Sequence, residues 1–160
     1  MAVRISEVVE ALTEGDNMVR YYYEREADEL VSVMVEYLER ADRLLYEGKT
    51  VDDGDLLYWE VGLVEDAMRI LQADDDAFVP LPSQWDVHMH RIMEDFVRTL
   101  PESQMQERIW NDLHRSGAFR RFRDHVYRYE ILDAWFRFRD ERLAEIAREW
   151  AEDNQIVLVG

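Results

Sequence analysis

The chain of 160 residues carries 36 acidic and 19 basic side chains, a formal net charge of −17, with 48% hydrophobic and 12% aromatic residues. That length suits one domain able to bury its own core, and the apolar content excludes an intrinsically disordered chain despite the charge. The absence of cysteine excludes disulfides, thiolate metal sites and cysteine nucleophiles, and no apolar run approaches the roughly 20 residues that a membrane-spanning helix needs.

The opening residues place Glu7 and Glu10 where an export signal would carry its apolar segment, so the expectation is a soluble, cytoplasmic protein. Ser6 is the expected cap of a first helix with Val8, Val9 and Leu12 on its apolar side, because a serine hydroxyl can accept from the free amides of a first turn. Met18 to Glu24 and Leu30 to Met34 are rich in strand formers. The polar Arg25-Glu-Ala-Asp28 between them marks a β-hairpin. The rival is one helix from about Arg25 to Tyr46, because Val35, Leu38, Ala41 and Leu45 repeat at helical spacing. Gly48 to Gly54 is a polar break, after which Asp53 or Asp55 is the expected cap of a helix reaching Gln72. Its expected apolar stripe is Leu56, Trp59, Leu63, Ala67, Ile70 and Leu71.

Ala77 to Pro82 reads as a short extended segment, confined to a sheet edge because proline lacks a ladder donor. Ser83 and Asp86 have the spacing of a capping box, opening a helix that carries Val87, Ile92, Met93, Phe96 and Leu100. Pro101 suits the first turn of the next helix, which bears Met105, Ile109, Trp110 and Leu113. Ser116-Gly117 breaks the pattern. Phe119, Phe122, Val126 and Tyr129 then follow at three- and four-residue spacing and are expected in the core. A last helix runs from about Ile131 to Asp153, with Asn154 as its left-handed terminator. Gln155 to Val159 is a strand or a docked tail.

The segment Gly117-Ala-Phe-Arg-Arg-Phe-Arg-Asp124, followed by Trp135, Arg142, Trp150 and Asn154-Gln-Ile156, resembles the C-terminal signature of a bacterial group known as uncharacterised protein family 0158. Phe78 to Ser83, Arg91 to Phe96, the tyrosine-led Tyr23 to Glu29 and the opening helix at Ser6 to Leu12 are similar to its upstream segments. The similarity covers residues 77–156 well and 3–34 weakly, and leaves 35–76 unmatched. This chain has Arg115 and Asp28 where the family usually has glycine. The resemblance implies relatedness and no chemistry, since the family has no assigned activity.

Charge is distributed unevenly. Residues 1–80 hold 7 basic and 21 acidic side chains (−14), whereas 115–142 hold eight arginines against five acids (+3). The acidic half disfavours nucleic acid and anionic membrane and suits solubility or a basic protein partner. Ser116 and Gly117 present free amides at a helix start, with Arg120, Arg121 and Arg123 beside them, so this stretch is a candidate anion or acidic-peptide site. The competing expectation is structural: these arginines pair with the chain's own acids, Asp133 and Asp140 among them. Asp86, His90 and Glu94 recur every four residues and form a candidate divalent-metal face, and His114 and His125 flank the Ser116-Gly117 turn. Asp52-Asp-Gly-Asp55 lacks the twelfth-position acid of a calcium loop, that residue being Leu63. No nucleophile elbow, phosphate loop or dinucleotide fingerprint is present, so no cofactor is expected.

The expectation is an α+β, mainly helical fold over residues 1–160, with a small hairpin-based antiparallel sheet and five or six helices; the alternative is all-α. Within it, 1–34 supply helix and hairpin, 35–76 an acidic helical middle, and 77–160 the signature-bearing helices. The favoured function is a non-enzymatic regulatory or interaction protein acting through an acidic face or residues 115–139. The alternatives are binding of an anion or nucleic acid from Ser116 to Arg123, and a metal-dependent hydrolase built on Asp86, His90 and Glu94. No heptad seam is long enough to read an oligomeric state.

Overall fold

A computed structural model describes every residue except Met1, Asp16 and Gly54, together with the side chains of all but Trp85 among them. Among the described residues it is α+β and mainly helical, with seven helices of ten residues or more, one single-turn helix and a three-stranded antiparallel sheet. The long helices exceed the expected five or six. None is long and apolar enough to cross a membrane.

A strand β1 (Val3–Arg4) leads into α1 (Ile5–Glu14). Ser6 lies inside the first turn and does not cap it; Glu7 reaches back to accept from the Arg4 amide at 2.9 Å. The hairpin is β2 (Val19–Glu24) and β3 (Glu29–Met34), paired from Val19↔Met34 to Glu24↔Glu29. This excludes the long helix from Arg25. Asp28 occupies the left-handed region at φ 54°, conformational ground that favours glycine, and its carboxylate accepts from the Tyr23 hydroxyl at 2.7 Å. A local side-chain bond of this kind lets aspartate occupy a turn position whose backbone favours glycine.

Alternation along β2 serves two cores rather than one. Tyr21 and Tyr23, with Leu30 across the ladder, pack into the main core, where the Tyr23 ring meets Trp150 edge-on. Tyr22 and Val33 join a separate, smaller cluster. That cluster is made by α2 (Val35–Tyr46) and α3 (Tyr58–Gln72), which meet through Ala41, Val64 and Ala67. Small side chains permit this close approach, and of the expected stripe only Leu56, Ala67 and Ile70 turn to this cluster. Trp59, Leu63 and Leu71 are exposed, while Glu60 is buried. Glu60 accepts from Arg40 Nη1 at 2.7 Å and from the Leu57 amide at 3.1 Å, so neither Asp53 nor Asp55 caps the helix. Gly54, in the expected break, lies outside the described residues.

β4 (Phe78–Pro80) forms a sheet edge beside β2, as suits Pro80 with no ladder donor, in the order β3-β2-β4. Ser83 and Asp86 form their capping box, with the Ser83 amide donating to Asp86 at 2.9 Å. The helix they open is broken after one turn. His88 takes a left-handed conformation at φ 52° and divides α4 (Gln84–Val87) from α5 (Met89–Thr99). Ser103, not Pro101, precedes α6 (Gln104–Leu113); its hydroxyl accepts from the Gln106 amide. Left-handed Gly117 (φ 74°) starts α7 (Ala118–Arg128).

The longest helix, α8 (Leu132–Asp153), crosses the molecule and packs on α1 and α5. Its Trp150 indole N–H donates to the Pro80 carbonyl at 2.9 Å, tying it to the sheet. The left-handed residue past its end is Gln155 (φ 58°), not Asn154, whose amide is instead spent on the Trp150 carbonyl. Ile156 is buried, and β5 (Leu158–Val159) pairs in parallel with β1.

Phe122 is 2% exposed and Phe119 50% exposed, so the two phenylalanines of one helix face differ in role. Phe122→Ala should cost ~3–5 kcal/mol of stability and Phe119→Ala under ~1 kcal/mol, as read by denaturant melts of both variants. Equal losses would contradict this placement.

Candidate functional site

The signature segment begins α7, and much of it serves structure. Phe122 packs edge-on against Trp135 at 4.8 Å and on Phe96 at 6.3 Å. Arg142 donates to Asp95 at 2.8 Å, binding α8 to α5. Arg142's hydrogen bond, then its charge and that of Arg98, hold the Asp95 carboxyl below the ordinary carboxylate range, against the opposing effect of burial. Arg25 donates to the Asn154 carbonyl at 2.9 Å, joining the hairpin turn to the end of α8. His125 bonds Asp112 at 2.6 Å and so links α7 to α6, and this bond draws the Asp112 carboxyl below its usual range.

The five residues singled out in the sequence do not converge on one point. Arg121 Nε turns back to the Ser116 carbonyl at 3.0 Å, which spends it on the turn. Ser116 and Gly117 are exposed beside it. Arg120 projects to solvent, and Arg123 lines a groove farther along α7. Of the eight arginines in 115–142, Arg115, Arg139 and Arg142 are in ion pairs with Asp112, Asp140 and Asp95. Among the described residues the side chains of Arg120, Arg123, Arg128 and Arg137 form no ion pair. Internal neutralisation therefore accounts for part of this arginine surplus.

The groove, about 830 Å³, runs between α7 and the start of α8, with α5 as its base. Its floor is apolar: Met89, Met93, Val126 and Leu132, over Phe122 and Trp135. Phe119, Tyr127 and Phe136 stand exposed along its walls. Arg123, Arg128 and Arg139 rim it, with Asp124 the one carboxylate in the lining. The Arg139 guanidinium lies over the Phe136 ring at 4.6 Å, which holds both side chains in place. The sequence pointed to Met93, Phe119, Phe122 and Val126 as helix-face or core residues and not as the lining of a groove, although the spacing along α7 and α8 carries a signal. Phe119, Arg123 and Tyr127 recur every four residues, and Leu132, Trp135, Phe136 and Arg139 follow a one-face helical pattern.

The histidines fall into two arrangements. His90 donates to the Leu113 carbonyl at 2.6 Å and lies 3.4 Å from Glu94, which also meets His114 at 3.1 Å. The break at His88 removes Asp86 from the face of His90 and Glu94, and Asp86 is committed to the Ser83 box. Among the described residues no three potential ligands are placed to hold a metal ion. His114 and His125 do not pair across the turn; each takes its own carboxylate.

A family model described as "Uncharacterised protein family (UPF0158)" matches residues 52–160. The chain belongs to the UPF0158 family. The UPF0158 match reaches into the acidic middle, which the sequence resemblance left unassigned. The chain is 36% identical over 66 residues to "UPF0158 protein PA5073" of Pseudomonas aeruginosa, a stretch covering 41% of this chain and 43% of that relative. The match thus spans less than half of the relative's length. No solved structure matches the chain.

The Asp95–Arg142 tie gives a pH test. A carboxyl whose folded pKa is depressed adds stability above its unfolded value of about 3.9, and that stability is lost as pH falls through the folded value. Asp95→Asn should therefore lose about 1 kcal/mol at pH 7, a figure suited to a partly exposed charged pair. The gap to wild type should close below about pH 4. Equilibrium melts between pH 2 and 7 read both effects; a gap independent of pH would contradict the assignment.

Proposed function

We propose that the protein is a cytoplasmic, non-enzymatic interaction module that receives an acidic, apolar segment of a protein partner in the α7–α8 groove. The observation that carries this reading is the groove itself: an apolar floor with exposed aromatic walls, rimmed by Arg123 and Arg128, which form no ion pair among the described residues. Exposed aromatics beside unpaired arginines are the side chains most enriched at binding hot spots. Arginine forks recognise carboxylates in bidentate fashion, and an amphipathic helix laid in an apolar groove is a recurrent mode of peptide recognition. Within the same reading, Ser116, Gly117, Arg120 and Arg121 form a polar approach at the mouth of α7. The −14 of residues 1–80 weighs against a nucleic-acid partner.

A photo-crosslinking residue placed at Phe119 in the native host tests this. It should give a discrete protein adduct that a crosslinker at the exposed Val157 does not. Arg123→Glu with Arg128→Glu should remove the adduct. The same adduct pattern from both positions would contradict the proposal.

A further inference from the structure

The chain carries a surface that matches its own groove. On α3, Trp59, Leu63 and Asp66 stand at i, i+4 and i+7, which places them on one helix face. That face is not the one used against α2, which meets Glu60, Val64 and Ala67. Trp59 is 53% and Leu63 43% exposed, and Tyr58 beside them projects into solvent. Asp66 shares this face with Trp59 and Leu63, within a region, residues 35–76, that holds 13 acids against 4 basic side chains (−9). An exposed, acid-flanked apolar helix face is the ligand that an arginine-rimmed apolar groove selects.

We infer that the occupant of the α7–α8 groove is a second copy of this chain, entering with the Trp59–Leu63 edge of α3; this rests on the reading of the groove as a docking surface. Within one chain α3 packs on α2 and β3, whereas the groove is built by α7, α8 and the start of α5. The contact therefore joins two different patches of two copies. Its polarity is set by charge: the −9 region of one copy faces the +3 region, residues 115–142, of the other. The net −17 on each copy opposes association at long range. At 0.15 M salt, where the Debye length is about 8 Å, that repulsion is largely screened while the close arginine–carboxylate pairs are screened less.

Sedimentation velocity at 0.15 M salt, over a concentration series into the hundreds of micromolar, tests the contact. The wild-type mass should rise above the 19.2 kDa of one chain. An edge variant, Trp59→Ala with Leu63→Ala, and a groove variant, Arg123→Glu with Arg128→Glu, should each stay at 19.2 kDa. All four positions are exposed, and circular dichroism confirms that the variants are folded. Mixed in equal amounts, the two variants should associate, because one retains the groove and the other the edge. A wild-type mass of 19.2 kDa throughout, or variants that fail to associate where wild type does, would overturn the inference. A monomeric wild type whose Phe119 crosslinks to a different host protein would overturn it and leave the docking reading standing. Absence of both association and crosslink would remove both.

Discussion

Packing around the Phe96 ring governs the architecture on which the candidate site rests. Phe122 of α7, Trp135 and Phe138 of α8 all lie within 6.3 Å of it, centroid to centroid, in edge-on or tilted geometry. Aromatic pairs in such arrangements add about 0.5–1.5 kcal/mol each beyond the area they bury. α7 thus sets Phe122 against α5 beside its packing on α6, and α8 sets Trp135 and Phe138 against α5 beside its packing on α1. The adjoining stripe of each, Phe119–Arg123–Tyr127 on one and Phe136–Arg139 on the other, is left at the groove. The groove follows from that shared anchor, with the Asp95–Arg142 bond holding α8 to α5 farther along.

The sheet sets the second constraint. Because side chains alternate across a strand, β2 sends Tyr21 and Tyr23 to the main core and Tyr22 to the α2–α3 cluster. The acidic middle of the chain is therefore held as a separate layer, with Arg40 compensating the buried Glu60. A charge buried without such a partner is costly. This arrangement fixes which face of α3 turns inward, and so which apolar residues remain outside.

Local chemistry made parts of this fold legible in the sequence. The hairpin ends, the Ser83–Asp86 box and the Gly117 break depend on neighbours within a few residues, and they stand where those residues indicate. Tertiary contacts decided the rest. The stripe Trp59–Leu63 has helical periodicity, yet Ala41, Val64 and Ala67 allow closer approach and took the interface. His88 carries no turn signature, and its left-handed backbone breaks an otherwise continuous helical pattern. Phe119 shares a face with Phe122, but in the first turn of α7 its ring lies edge-on to His90 at the surface. Of the candidate site, the sequence pointed to Arg123 and to the stretch 115–139; the groove needs α5, α7 and α8 together, and no single-helix pattern contains it.

Occupancy of the groove in living cells tests this account most directly. The chain has no cysteine, so single cysteines at Tyr127 and at Val157, both well exposed, report local access without background. Their reaction with N-ethylmaleimide is compared between native-host cells and the purified, dilute protein. The account predicts that Tyr127→Cys is protected in cells while Val157→Cys reacts at the same rate in both settings. Equal access of Tyr127→Cys in cells and in dilute solution would contradict it.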